Sequence, residues 1–135
     1  MQRTDETGDW VVLRWALIAA AASGMAAVMI GASGAHALGD LPASARNFFE
    51  TAERYHFVHT LALALAALAP AAGAHRSACQ FACAFWLAGM IIFCGSLYLL
   101  ALTGTSWLGA FTPFGGTAII AGWIALILAA ALRPD

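Results

Sequence analysis

The sequence predicts an all-α fold, a four-transmembrane-helix bundle with a short interfacial helix between the first two spans. Hydrophobic residues make up 62% of the 135 positions and charged residues only 10%, whereas soluble domains carry about 25% charged residues. Four apolar stretches occupy nearly the whole chain, each of the roughly 20 residues that a helix needs to cross a bilayer. We therefore expect a single membrane domain over residues 15–133, preceded by a polar tail at 1–14, with no room for a separate catalytic domain.

The first span is expected over residues 15–38, beginning at Trp15, an amphipathic ring of the kind found at headgroup level. Its small residues recur at four-residue spacing in two rows: Ala20 with Gly24, and Ala27 with Gly31 and Ala35. Such rows let two helix backbones approach closely in lipid, where hydrophobicity alone does not drive helices together. We therefore expect this helix to pack tightly against a neighbour.

The only strongly polar connection lies at residues 39–55, with Pro42 near its start. Its charged residues recur at i, i+4 and i+8: Arg46, Glu50 and Arg54. Side chains at this spacing share one helix face and can form ion pairs. We predict a helix that lies along the membrane interface and leads directly into the second span, at residues 57–73.

The last two spans are bounded by residues that start or stop helices. The third is expected over residues 78–102 and is followed by Gly104, which suits a helix end. The fourth is expected over residues 113–132, because Thr112 is a good cap and Pro113 suits the first helical turn. These two helices complete a bundle of four.

The orientation follows from the arginines near the span ends. Four lie on the side of the termini and two on the other side: Arg3, Arg14, Arg76 and Arg133 against Arg46 and Arg54. Cytoplasmic loops carry the excess of positive charge. We therefore expect a multi-pass protein of the inner membrane with both termini in the cytoplasm.

Charge and cysteine content exclude some classes of function. The net charge is -1, and the basic residues are six arginines without a lysine, so nucleic-acid binding is not expected. Cys79, Cys83 and Cys94 all lie in one apolar stretch, where a thiol behaves as a small hydrophobe. The sequence contains no phosphate loop, nucleophile motif, zinc-protease motif or dinucleotide fingerprint, and we expect no enzyme.

Polar residues converge on the membrane face opposite the termini and form the candidate polar site: His36, Glu50, Tyr55, His56, His59 and Tyr98. Two imidazoles at i, i+3 with a third from another helix could bind zinc or copper, and His36 with His59 could ligate a haem. The cluster lacks a diagnostic ligand spacing, so we expect no metal and no cofactor, and favour hydrogen bonding at a wet helix junction. A proton-transfer or ligand site at this junction remains open.

Glycines inside the spans are interpreted as helix-packing positions. They occur in three of the four helices: Gly24, Gly31, Gly34, Gly95, Gly115, Gly116 and Gly122. The pair Gly115 and Gly116 could instead loosen the start of the fourth helix for a ligand.

Four motifs in order resemble a known family: Gly31-Ala-Ser-Gly-Ala-His36, Phe49-Glu-Thr-Ala-Glu-Arg-Tyr-His56, Phe93-Cys-Gly-Ser-Leu-Tyr98 and Thr112-Pro-Phe-Gly-Gly116. The family is the small integral membrane family called domain of unknown function 423, to which transmembrane protein 256 of animals is similar. The resemblance implies a four-helix inner-membrane protein with no established activity. The matching positions are Gly31, Gly34, His36, Thr51, Tyr55, His59, Gly95, Ser96, Tyr98, Thr112, Pro113, Gly115, Gly116, Gly122 and Trp123.

The function expected from these observations is that of an integral inner-membrane protein of unknown biochemical activity. We favour a non-enzymatic accessory or assembly partner of a larger membrane complex, because small-residue faces are abundant and a catalytic constellation is absent. The expected partners are membrane lipids and another membrane protein. Two alternatives remain: a small-molecule binder or transporter with a polar pocket in the outer leaflet, and a histidine-ligated haem or metal protein.

Overall fold

The computed structural model describes residues 12–132, and this part of the chain is helical apart from short connections. The four long helices are α1 (Arg14–Ala37), α2 (Ala43–Leu68), α3 (Arg76–Thr103) and α4 (Thr112–Ala131). Two short 3-10 segments, Ala69–Ala72 and Ser106–Ala110, follow α2 and precede α4. Each long helix has the length and apolar composition needed to cross a membrane, which confirms the predicted fold class. Most of the tail predicted at 1–14 lies outside the described residues.

The helix predicted along the interface and the second span form one continuous helix, α2. The sequence between Pro42 and Pro70 contains neither glycine nor proline, so nothing interrupts the backbone hydrogen bonds. The 26 residues of α2 extend about 39 Å, beyond the roughly 30 Å hydrocarbon core. Its first turns therefore project from that core. Arg46, Glu50 and Arg54 are exposed there, and within the described chain they form no ion pair with one another.

The helices pack in an order that makes α3 central and α1 peripheral. α3 packs against both α2 and α4, whereas α1 packs on α2. The buried share of the membrane-spanning window is 44% in α3 but only 17% in α1. The first helix therefore has one principal neighbour within this chain.

Two backbone hydrogen bonds bring the helix ends together at one end of the bundle. The N–H of Leu13, before α1, donates to the carbonyl oxygen of Ala67 at 2.9 Å. The N–H of His75, before α3, donates to the carbonyl oxygen of Ala129 at 2.9 Å. The start of α1 and the end of α4 thus lie at the same end, which we call the inner end. The opposite end, with the α1–α2 and α3–α4 connections, is the outer end.

The contact between α3 and α4 is close because glycines stand where side chains would collide. A Cβ atom on Gly115 would collide with the backbone of Phe93, and one on Gly122 would lie 2.5 Å from the Trp86 ring. Trp86 is fully buried, and its Nε1–H donates to the carbonyl oxygen of Ile119 at 3.2 Å. These contacts hold the two helices at a separation that only glycine permits.

Three buried thiols, Cys79, Cys83 and Cys94, lie in the apolar core of the bundle. They pack among alanines, leucines and Trp86. This environment agrees with the expected behaviour of a thiol as a small apolar side chain.

Candidate functional site

A chain of polar side chains connects α1, α2 and α3 inside the bundle. His56 of α2 is central: its Nε2 atom lies 3.1 Å from Ser23 Oγ, and its Nδ1 atom lies 3.3 Å from the Tyr98 hydroxyl. Ser23 Oγ lies 2.6 Å from Thr60 Oγ1, and the Thr60 hydroxyl donates to Met90 Sδ at 3.9 Å. Polar side chains at this depth satisfy one another because lipid offers no alternative partner.

His59 belongs to a separate cluster that joins α2 to α4. It is only 4% exposed, and its Nε2 accepts a hydrogen bond from Trp123 Nε1–H at 3.2 Å. Its Nδ1 lies 2.8 Å from the carbonyl oxygen of Tyr55, so Nδ1 must carry the proton that it donates. Aromatic rings surround the imidazole, with centroid distances of 6.0 Å to Trp123 and 6.3 Å to Trp86. With neither nitrogen lone pair available, this arrangement disfavours His59 as a metal or haem ligand.

The structure brings together only part of the predicted polar site. His56 and Tyr98 are hydrogen-bonded, and His59 lies one turn further along α2. His36 and Glu50 are exposed, and Tyr55 packs its ring on Phe93 at a centroid distance of 4.7 Å. Among residues 12–132, no three His, Cys, Asp or Glu side chains are close enough to hold a metal ion.

Sequence reasoning missed Ser23, Thr60 and Met90, which extend the polar chain beyond His56. A signal for Thr60 was present, because it follows His56 by four residues and therefore shares its helix face. Ser23 is the first hydroxyl of the first span, but nothing in the sequence shows which way it points. Trp86 likewise gave no signal of its place beside His59.

A groove runs between α1 and α3, with α2 as its floor. Its middle section has a volume of about 460 Å³, and an outer section of about 370 Å³ shares Ile30 with it. The middle section is lined by Ala22, Ser23, Ala26, Ile30, His56, Leu87, Met90, Ile91, Cys94, Gly95 and Tyr98. Phe49 and Leu102 contribute to the outer section. From Leu87 to Leu102 the wall formed by α3 is about 22 Å long, and we call the whole feature the α1–α3 groove.

The glycines predicted to pack helices are distributed unequally around this groove. On α1, a Cβ atom on Gly24 would lie 3.5 Å from Thr60, one on Gly34 would lie 2.5 Å from the Phe49 ring, and one on Gly31 would collide with the Glu53 carboxylate. These three glycines of α1 thus face α2. On the other side of the bundle, Gly115 and Gly122 bring α4 to α3, as described above, and a Cβ atom on Gly116 would make ordinary contact with the Phe93 ring at 3.7 Å.

Gly95 differs from the other glycines of the predicted packing set. No atom lies within 4 Å of the position that its Cβ would occupy, and it forms part of the groove wall. Gly95 therefore leaves open space where the others permit contact.

Comparison with known proteins identifies a family. A family described as "Protein of unknown function (DUF423)" matches residues 30–116. The UPF0382 membrane protein YwdK of Bacillus subtilis is 39% identical over 117 residues, covering 84% of this chain and 94% of that protein. The UPF0382 inner membrane protein YgdD of Escherichia coli is 39% identical over 122 residues, covering 89% and 91%. A UPF0382 membrane protein of Haemophilus influenzae is 36% identical over 107 residues, covering 78% and 85%.

No solved structure matches the chain. The matched family region begins in α1 and ends in α4, so it contains the outer third of α1, all of α2 and α3, and the first turn of α4 with Gly115 but not Gly122. The chain has four apolar helices, and it matches most of the length of relatives that are named as membrane proteins. It therefore belongs to the DUF423 family of membrane proteins of unknown function.

Proposed function

We propose that this protein is a non-enzymatic membrane protein that holds a lipid-soluble small molecule in the α1–α3 groove. The observation that carries the proposal is the combination of long apolar walls with three polar side chains, His56, Ser23 and Tyr98, among the residues that line the groove. Small-molecule sites have volumes of about 300–1,000 Å³ and apolar linings with a few placed polar groups. Both sections of the groove fall in this range.

The position of the polar groups supports binding. A polar side chain inside a bilayer is costly. Such side chains are found at ligand or ion sites more often than on the surface that faces lipid. His59 is buried between α2 and α4, and the cost is offset there because both of its ring nitrogens are hydrogen-bonded. His56 and Tyr98 are half-buried and line an open groove instead.

Binding without catalysis is favoured by the way the polar chain ends. The chain runs from Tyr98 through His56, Ser23 and Thr60 to the thioether of Met90. A thioether accepts a weak hydrogen bond but neither supplies nor takes up a proton under ordinary conditions. The chain therefore provides hydrogen bonds to a ligand and offers no continuous path for protons.

The test is to identify the lipids that co-purify with the protein from its native membrane in mild detergent. Gly95→Leu would place a large side chain in the groove, where nothing within 4 Å opposes its Cβ. Ala130→Leu on α4 is the matched control, because Ala130 is exposed and lies outside the groove. We expect one lipid class at near-equal molar ratio in the wild-type protein and the control, and its loss from Gly95→Leu. Identical lipid content in all three proteins would refute the proposal.

A second candidate function is that of an accessory or assembly partner of a larger membrane complex. The outer third of α1 supports it, because small or polar residues are exposed there: Ala32, Ser33, Ala35 and His36. Small and polar residues are typical of helix–helix contacts in lipid. A cysteine cross-linker placed at Ala32 should capture one defined protein in native membranes, whereas the same group at Ile127 on α4 should not. Equal products at both positions would argue against this candidate.

We also propose that the inner end of the bundle faces the cytoplasm. Arg14 and Arg76 support this orientation, because both belong to that end; Arg3 and Arg133 lie outside the described residues. A membrane-impermeant thiol reagent applied to intact cells should label Gly39→Cys at the outer end and spare Ala72→Cys at the inner end. The three native thiols are buried, so they should contribute little background. The opposite labelling pattern would reverse the orientation.

A further inference from the structure

The geometry points to an uncharged lipid that carries a hydroxyl group as the ligand of the α1–α3 groove, with that hydroxyl donating a hydrogen bond to the Tyr98 oxygen. This inference rests on the proposed function and specifies its ligand. It follows from the direction in which the hydrogen bonds of the polar chain run. That direction is determined at the end furthest from Tyr98, at Met90.

The first two steps concern hydroxyl groups. The Met90 sulfur can only accept, so the 3.9 Å contact uses the proton of Thr60. Thr60 must then accept in its 2.6 Å hydrogen bond with Ser23, and Ser23 must donate. The single hydroxyl proton of each residue is thereby used.

The next two steps pass through the imidazole of His56. Because the Ser23 proton points to Thr60, the 3.1 Å contact between His56 Nε2 and Ser23 Oγ requires an Nε2–H donor. The neutral imidazole then has an acceptor at Nδ1. The Tyr98 hydroxyl therefore donates to Nδ1 at 3.3 Å, which uses the only proton of Tyr98.

The opposite direction satisfies fewer groups. If Tyr98 accepted from His56, then Ser23 would donate to His56 and Thr60 would donate to Ser23, and the Met90 sulfur would lose its donor. The observed set allows four hydrogen bonds in one direction and three in the other. Buried polar groups favour the arrangement that satisfies more of them.

The direction of these hydrogen bonds leaves the Tyr98 oxygen as a hydrogen-bond acceptor for a ligand. The Tyr98 ring is held by edge contacts with Phe49, at a centroid distance of 5.0 Å, and with His56, at 6.0 Å. Its oxygen uses its proton in the bond to His56 but can still accept a hydrogen bond, and Tyr98 is one of the residues that line the groove. A ligand hydroxyl satisfies that oxygen, whereas an ether, ester or quinone carbonyl would place one acceptor against another.

The remaining lining residues indicate that the ligand is uncharged and has a long apolar part. None of the side chains that line the two described groove sections is a lysine, arginine, aspartate or glutamate, so a phosphate or ammonium head would lack a counter-charge. The wall of about 22 Å accommodates an extended chain of well over ten carbon atoms. Two kinds of lipid carry the shared chemistry: linear long-chain alcohols and isoprenoid hydroquinones.

The experiment measures binding of matched probes to the full-length protein in nanodiscs by native mass spectrometry. Oleyl alcohol is compared with oleyl methyl ether, and an isoprenoid hydroquinone with its dimethyl ether. We expect each hydroxyl probe to bind about two- to tenfold more tightly than its ether, the range that one net hydrogen bond provides. The tighter of the two hydroxyl probes shows whether the groove suits a linear chain or an isoprenoid ring.

Met90→Leu tests the direction of the chain, because it preserves side-chain volume and removes the sulfur acceptor. Both directions then have three hydrogen bonds. The ratio of the affinity for the hydroxyl probe to that for the ether probe should therefore fall to about 1. A merely structural role for Met90 would weaken both probes equally and leave their ratio unchanged, which would overturn the proposed direction. Ile120→Leu, at an exposed position of α4 outside the groove, should leave the ratio as in the wild type.

The outcomes separate this inference from the proposed function. Equal affinity of the wild-type protein for hydroxyl and ether probes, with loss of both in Gly95→Leu, would overturn the inference and leave the groove as the binding site. Binding of the probes that Gly95→Leu does not alter would overturn both. A hydroxyl preference that disappears in Met90→Leu and persists in Ile120→Leu supports the inference.

Discussion

The two sides of α3 show how differently one helix meets its neighbours. Toward α4, a Cβ atom on Gly89, Gly115 or Gly122 would lie within 3 Å of another residue. Toward α1, Gly95 faces empty space, and the two helices are separated by the α1–α3 groove. In lipid, close approach supplies much of the attraction between helices. A glycine on a transmembrane helix thus marks either a close helix contact or an open space. The position of the neighbouring helix determines which of the two it is.

The largest effect expected from this comparison is on Gly115. In Gly115→Ala, the added methyl group would collide with the Phe93 backbone, which cannot rotate away as a side chain can. We expect α4 to be displaced from α3 and the free energy of unfolding to fall by about 3 kcal/mol or more. Thermal unfolding in detergent, monitored by circular dichroism, measures this loss of stability.

Gly95→Ala is the matched control for this prediction. It adds the same methyl group on α3 where space is open, and alanine is the better helix former by about 1 kcal/mol. We expect unchanged or slightly increased stability. Similar losses in both variants would show that the contrast between the two sides of α3 is wrong.

A smaller effect is expected where α1 meets α2. Gly34→Ala would bring a methyl group to 2.5 Å from the Phe49 ring, and a ring can shift at a cost of about 1–3 kcal/mol. Gly24→Ala would place its methyl group at an ordinary 3.5 Å from Thr60 and should be tolerated. Chemical denaturation in mixed micelles compares the two variants. If Gly24→Ala were the more harmful, the contact between α1 and α2 would differ from the one described.

The smallest effect is expected for the hydrogen bond that joins α4 to α2. Trp123→Phe keeps an aromatic ring beside His59 but removes the Nε1–H donor. Hydrogen bonds between transmembrane helices average about 0.6 kcal/mol, with a maximum near 1.7, and we expect a loss in that range. Trp107→Phe, at an exposed ring near the outer end, is the control and should change stability less. Equal losses would mean that the bond to His59 adds nothing to the fold.

The sequence predicted the helices well because their limits depend on local residues. Gly104 ends α3 in the left-handed conformation, with a φ angle of +67°, and Pro113 stands in the first turn of α4. The helix predicted at the interface was expected to lead directly into the second span, and the two form one helix because no helix breaker lies between Pro42 and Pro70.

The candidate site was only partly predictable because the rotation of each helix is set by packing. Gly34 faces Phe49 on α2, and His36 lies two residues further along, so it projects about 200° around the helix from that contact. His36 is therefore exposed although it lies at the predicted depth. His56 and Tyr98 meet because their helices present these faces to each other. The groove itself is a property of how α1 and α3 are spaced, which no local pattern records.

The unbroken length of α2 links the depth of the groove to the thickness of the bilayer. A rigid helix of about 39 Å exceeds a hydrocarbon layer of about 30 Å, and Arg46 and Arg54 in its first turns must reach the headgroups or water. In a thinner membrane such a helix tilts or shifts along the membrane normal, and His56 moves with it because no hinge intervenes. The polar side chains that line the groove would then lie at a different level in membranes of different thickness.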